Sequence, residues 1–400
     1  MAEGSVMICA GCGAPLQSEI PEAPGYVPAS ALNRDKPVCR RCFRIRHYGE
    51  FVPVVVSPEA YRLAVAGIAR HPGLVLYVLD VFDLNGSMVP SLAELVGTSP
   101  VWAVVNKVDL LPAEVRPDAL ARWVRRLVEE RGVRCDGVWF VSGRTGFGID
   151  QLLAALDERR EDRVYAVGMA NVGKSTLLNR LVRSGRAEPV LTESRMPGTT
   201  LGVVEMEGTL PSGRVVSFVD TPGLMHGGRV IDRLCPDCLK RAVPSDRLRP
   251  RVYQLNPRQS LWIAGFARFD FVAGERQPVV VYVSNDLVVH RTKLERADII
   301  GEERYEEVLR VPCPDCRARL GELRPLVVGA GRYRGDGRAR TDLPVPRQGC
   351  DVVLAGLGWI TLFGRDLAGR LFAPEGIQVT VRERMIGGVT RQTVRRHPHA

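Results

Sequence analysis

The chain has 400 residues, 45% hydrophobic and 25% charged, with 55 Lys+Arg against 45 Asp+Glu for a formal charge of +10. This excludes wholesale disorder and provides for two or three domains with real cores. No apolar run approaches the roughly 18–20 residues of a membrane helix and no basic-then-apolar leader opens the chain, so a cytoplasmic protein without a membrane role is expected.

The first feature along the chain is a pair of C-x-x-C knuckles, Cys9/Cys12 and Cys39/Cys42, in a Pro- and Gly-rich segment. Two knuckles present four thiolates to one tetrahedral ion, which predicts a structural zinc site. No β-α-β pattern of a redox dithiol surrounds them. Short apolar runs then alternate with helical patterns. Leu74–Asp80, Val101–Asn106, Val138–Ser142, Arg163–Gly168 and Val215–Asp220 read as buried strands. Leu92–Val96, Leu120–Glu129, Ile149–Asp157 and Lys174–Arg183 read as helices. That alternation predicts an α/β fold, a mostly parallel sheet with helices on both faces, whose ligand lies at the carboxyl ends of the strands.

Asn106-Lys-Val-Asp109 ends the second of these strands. Its Asp109 carboxylate can accept from guanine N1–H and the exocyclic amine, which adenine does not offer together. Asn106 would tie this loop to the phosphate loop, and the Lys107 stem would lie over the base. Ser142-Gly143 follows the third strand, and the Gly143 amide is expected to meet guanine O6.

Gly168-Met-Ala-Asn-Val-Gly-Lys-Ser175 matches G-x-x-x-x-G-K-[ST] between a strand and a helix, the context of a P-loop. Amides from Asn171, Val172, Gly173, Lys174, Ser175 and Thr176 would face phosphate oxygens. The Lys174 ammonium would reach the β/γ-phosphates, and the Ser175 hydroxyl would ligate Mg²⁺. Thr200 of Pro197-Gly-Thr-Thr200 would complete the Mg²⁺ shell, with an ordinary strand start as the alternative. Asp220-Thr-Pro-Gly223 comes next, with Asp220 placed for Mg²⁺ through water and the Gly223 amide for the γ-phosphate. GTP, GDP and Mg²⁺ are thus the expected ligands.

The order is the informative part. GTPases ordinarily run from the P-loop to N-K-x-D, whereas here the base-reading half comes first. The sequence therefore predicts a circularly permuted P-loop GTPase domain. The second switch, after Gly223, then leads straight into the C-terminal region.

Two further pairs, Cys235/Cys238 and Cys313/Cys316, share the spelling Cys-Pro-Asp-Cys and predict a second zinc site. Cys135 and Cys350 are left as small apolar residues. The stretch Arg317–Arg347 is arginine-rich, either an RNA-facing insertion or a solvated loop. Tyr333 and Trp359 are candidate base-stacking residues, with buried packing the commoner fate of such a Trp.

The combination resembles the YqeH family of circularly permuted, ribosome-associated GTPases. The residues that carry the resemblance are Cys9-Ala-Gly-Cys12-Gly, Cys39-Arg-Arg-Cys42-Phe-Arg, His47-Tyr-Gly-Glu50, Asp80-Val-Phe-Asp83, Asn85-Gly-Ser87, Val280–Asn285 and Gly356-Leu-Gly-Trp359. The resemblance implies a zinc finger over 1–52, the permuted GTPase domain over 53–232 and a β-rich C-terminal domain over 233–400 that binds RNA. It further implies action in assembly of the small (30S) ribosomal subunit, with 16S rRNA rather than DNA as the nucleic-acid partner. Leu224 stands where Ras-like enzymes place a water-orienting Gln, so slow hydrolysis is expected, and Asn171 is a candidate to hold K⁺ in compensation. His226 is a weaker candidate base. Two other readings stay open: a zinc-containing RNA-binding scaffold that binds GTP without turnover, and a GTPase that assembles a protein or metal cofactor. Positive charge is otherwise written almost wholly as arginine. Two of only five lysines, Lys107 and Lys174, fall inside the nucleotide motifs, where a compact ammonium on a flexible stem is needed.

Overall fold

The computed structural model describes residues 7–10, 12–21, 23–32, 37–48, 50–112, 115–184, 203–329 and 342–386. They form two compact units, Met1–Asp109 with Ala121–His226, and Leu110–Leu120 with Gly227–Ala400. The Cys-rich N-terminal segment belongs to the same unit as the nucleotide fold, and the second unit resumes at Gly227, ahead of the expected 233.

Six strands make the sheet of the first unit. In spatial order they are Gly137–Phe140, Val101–Asn106, Leu74–Asp80, Arg163–Val167, Val215–Asp220 and Val204–Thr209. The first five run parallel, and Val204–Thr209 pairs antiparallel at the edge. Every residue of Leu74–Asp80 and Val101–Asn106 is buried, as continuous apolar runs covered on both faces require. The P-loop strand Arg163–Val167 lies beside Leu74–Asp80 and Val215–Asp220, so the base-reading and phosphate-reading halves share one sheet despite their exchanged order.

Most predicted elements are found, with shifted ends and added elements, of which the following bear on the site's sheet. The third strand ends at Phe140, because the Ser142 amide turns to the Phe147 carbonyl and closes a loop. One helix starts at Pro117, since proline suits a first turn that needs no amide donor. The strand Val204–Thr209 is additional to the predicted ones. Its Glu205, Glu207 and Gly208 mask the alternation, yet Glu205 is buried and paired with Arg163.

The second unit is β-rich. Five strands run in the order Val379–Arg382, Cys350–Leu354, Gly358–Leu362, Gln277–Val283, Arg251–Leu255. Six more run Val289–Lys293, Gln259–Ile263, Ala267–Ala273, Ala368–Pro374, Leu323–Gly329, Leu343–Pro344. Pairing is antiparallel except between the last two. Both sheets contribute to one core, including Leu261, Phe269, Val281, Val352, Ile360 and Leu371. Trp359 is fully buried, stacked on Tyr282 at 4.8 Å with Arg382 over its ring, so it packs and cannot stack a base. Tyr333 and the centre of the Arg-rich stretch lie outside the described residues.

Candidate active site

The predicted nucleotide residues converge at the carboxyl ends of the parallel strands. Asn106 is the hinge of the site. Its Nδ2 donates to the Val172 carbonyl at 3.0 Å, and its Oδ1 accepts from the Gly143 amide at 3.0 Å. One side chain thereby joins three segments far apart in sequence. The Gly143 amide, expected at guanine O6, is thus held on Asn106. Gly173 has φ +92°, and a Cβ there would lie 2.4 Å from Asn106 Nδ2, so only glycine permits the joint.

Lys107 Nζ pairs with the Asp80 carboxylate and donates to the Asn171 carbonyl at 2.7 Å. Asn171 itself is exposed, with φ +65°. Asp109 carries an Arg144 fork on Oδ2, with donors at 2.7 and 3.1 Å. Its Oδ1 is buried and has no hydrogen-bond partner among the described residues. A buried carboxylate oxygen without a donor is the opening a guanine edge would fill. Asp80 and Arg144 join the site in addition to the predicted residues. Asp80 ends the strand next to Asn106, in register with it, which is the signal that could have found it.

At the phosphate end, Lys174 and Ser175 are buried at the start of the helix Lys174–Ser184. Lys174 Nζ donates to the Gly168 and Met169 carbonyls at 3.0 and 2.9 Å, folded back on its own loop. Ser175 Oγ donates to Asp220 Oδ2 at 3.2 Å. Asp220 is 1% exposed, and its Oδ1 is buried without a partner among the described residues. A serine hydroxyl converging with a carboxylate oxygen, Ser175 Oγ with Asp220 Oδ2, is an oxygen donor set that suits Mg²⁺. Thr200 lies outside the described residues.

Two contacts at this end come from the N-terminal segment. Arg41, in the second knuckle, donates from Nη2 to Asp220 Oδ2 at 2.7 Å and is itself 5% exposed. The Gly223 amide, expected at the γ-phosphate, donates to the Val54 carbonyl at 2.7 Å. Gly223–Leu224 pairs in parallel with Val55–Val56, burying Leu224. His226 is exposed.

The knuckle segment is anchored to the P-loop helix. Asn179 reads the Phe51 backbone twice, accepting from its amide at 2.7 Å and donating to its carbonyl at 3.0 Å. Glu50 pairs with Arg44 and Arg183, which hold its carboxyl below the usual carboxylate range.

Both cysteine quartets are assembled. The ligand atoms of Cys9, Cys12, Cys39 and Cys42 lie within 4.8 Å of one another, as do those of Cys235, Cys238, Cys313 and Cys316. Zn–S bonds of about 2.3 Å in a tetrahedron put sulfurs about 3.8 Å apart. The Cys12–Cys39 and Cys235–Cys313 pairs stand at 3.7 and 3.9 Å. Bonds from Cys39 and Cys42 pull the Cys12 thiol down to about 7. The Cys238 amide and Cys316 do the same for Cys235, also to about 7. The same contacts hold Cys39 and Cys42 above the usual thiol range, and burial does so for Cys238 and Cys316, so within each quartet the sulfurs share protons unequally. In the second quartet the Cys235 amide donates to Cys316 Sγ and the Cys313 amide to Cys238 Sγ, at 3.0 and 3.2 Å, a reciprocal arrangement of the two Cys-Pro-Asp-Cys turns. Cys135 and Cys350 are buried and belong to neither quartet.

The fold and site together define a circularly permuted P-loop GTPase with an N-terminal cysteine cluster and a β-rich C-terminal unit. Residues 163–242 match a family profile described as 50S ribosome-binding GTPase, and residues 276–385 one described as YqeH-like, C-terminal. The chain is 36% identical over 383 residues to the uncharacterized protein YqeH of Bacillus subtilis (strain 168), covering 95% of this chain and 99% of that one. It is 27% identical over 398 residues to a putative nitric oxide synthase of Oryza sativa subsp. japonica, covering 90% and 70%. Among solved structures, YjeQ from Thermotoga maritima matches at 25% identity with a TM-score of 0.23, covering 40% of this chain and 52% of that one. The chain belongs to the YqeH family.

Proposed function

We propose that this GTPase is a slow switch in assembly of the small ribosomal subunit, docking on 16S rRNA in its GTP state. The observation that carries the switch is the junction at Asn106, which locks base-reading and phosphate-reading motifs of permuted order into one pocket. In this reading Asp109 selects guanine, and the P-loop amides with Lys174 hold the phosphates. Ser175, Asp220 and Thr200 hold Mg²⁺, which when bound neutralises charge developing on the phosphates. Hydrolysis is slow because Leu224, buried against Val56, offers no polar group to orient water. K⁺ held at Asn171 supplies part of the missing charge. Each cysteine quartet holds a zinc ion, the second fastening the start of the C-terminal unit to residues 313–316. The site acts in the cytoplasm, where ribosomes are assembled.

The profile over residues 163–242 names the large subunit in its description. The small subunit is proposed from the family resemblance of the whole chain. Steady-state GTP turnover tests the enzymatic half. Slow release of phosphate, faster in K⁺ than in Na⁺ and lost in Asp220→Ala, is expected. Absence of turnover above the Asp220→Ala background supports the nucleotide-binding scaffold instead, and equal rates in K⁺ and Na⁺ remove the ion from Asn171.

A further inference from the structure

The two groups of Asp220-Thr-Pro-Gly223 that would sense GTP are both taken by one segment, residues 41–56. Arg41 places its guanidinium on Asp220 Oδ2, the same oxygen that Ser175 Oγ contacts. That is the edge of the carboxylate where Ser175 and Asp220 converge, so a protein cation stands where Mg²⁺ would be shared. The Val54 carbonyl meanwhile accepts the Gly223 amide. Neither contact is a surface accident, since Arg41, Asp220, Val54 and Gly223 are all buried. The segment is held in register by Asn179 and by Glu50 between Arg44 and Arg183.

We propose that the metal knuckle and the strand behind it form a latch that reads the γ-phosphate, with Arg41 standing in for Mg²⁺ at Asp220 and the Val54 carbonyl standing in for the γ-phosphate at Gly223. The inference rests on the proposed roles of Ser175, Asp220 and Gly223. Mg²⁺ and Arg41 compete for one carboxylate edge, and a phosphate oxygen and a carbonyl compete for one amide. GDP lacks the γ-phosphate and leaves the Val54–Gly223 bond in place. GTP with Mg²⁺ displaces both contacts and frees the segment. By linkage, holding the segment down weakens GTP more than GDP.

The test uses full-length protein, a fluorescent GDP and a non-hydrolysable GTP analogue, titrated with Mg²⁺. In Arg41→Ala, affinity for the GTP analogue rises about tenfold while GDP affinity changes by less than about twofold, because a competing state is removed. Zinc content equal to wild type shows that the knuckle is intact. Hydrogen exchange on the wild-type protein needs no variant. The pairing of 54–56 with 223–224 stays protected with GDP and loses protection with the GTP analogue. Unchanged or weaker GTP-analogue binding in Arg41→Ala, or equal protection in both nucleotide states, overturns the latch. Ser175→Ala separates the two layers. If it leaves the Mg²⁺ dependence intact, the metal reading itself fails. If it abolishes that dependence while Arg41→Ala has no effect, the latch alone fails.

Discussion

At the scale of single residues, three charges of the site arrive already paired with an opposite charge. Asp109 carries Arg144, Asp220 carries Arg41, and Lys107 carries Asp80. Buried charges need partners, since an isolated one costs several kcal/mol. The motif residues are legible because each belongs to a short pattern with fixed spacing. Their arginine partners are not, because Arg41 comes from a segment 179 residues away from Asp220 and Arg144 is one arginine among many. The Gly143 amide shows the same limit. A motif names the residue, and only the fold says which neighbour holds its amide. Asp109→Asn replaces an acceptor with a side chain that offers an N–H to guanine N1–H. Binding of fluorescent GDP should fall by about 100-fold or more, because a site built to hydrogen-bond rejects a mismatched edge strongly. Xanthosine diphosphate, whose O2 accepts where guanine donates, should recover binding in calorimetry. Equal GDP affinity in wild type and variant removes Asp109 from base recognition.

At the scale of elements, continuous apolar runs identify the central strands, and the P-loop context identifies its helix. The antiparallel edge strand Val204–Thr209 escapes such a reading because its stability comes from pairing with Val215–Asp220 and from the Arg163–Glu205 ion pair, neither visible in its own residues. The cysteine quartets are legible as spacing, since C-x-x-C is a local signal. Spacing does not show the consequence. The first quartet places Arg41 over the nucleotide site. In the second, two short helices, Pro236–Ala242 and Pro314–Leu320, start from facing turns whose amides bond each other's sulfurs. Cys235→Ser should halve the bound zinc measured by mass spectrometry. It should also cost the C-terminal unit at least about 3 kcal/mol, read as a lower unfolding midpoint in denaturant. A variant with full zinc content and an unchanged midpoint shows that the second quartet is not a metal staple.

At the scale of the whole chain, the permuted order is readable from motif sequence alone and is realised in the sheet, where Leu74–Asp80 separates the base-reading strand Val101–Asn106 from the P-loop strand and the P-loop strand in turn borders Val215–Asp220. Permutation gives the second switch a new neighbour along the chain. The first unit ends at His226, and Gly227 already belongs to the β-rich unit. A change at Gly223–Leu224 therefore lies two residues of chain from the second unit, and the latch places the cysteine-rich segment on the other side of the same dipeptide. The net charge of +10 provides attraction to a phosphate backbone without specifying its sequence. The excess of arginine says little by itself, whereas Lys107 and Lys174 stand at the centre of the site. Sedimentation of the full-length protein with purified ribosomal subunits through sucrose gradients tests the proposed switch most directly. With a non-hydrolysable GTP analogue the protein should travel with the small subunit, and with GDP it should remain at the top. Co-sedimentation with the large subunit, or equal distribution with both nucleotides, would contradict a GTP-dependent role in small-subunit assembly.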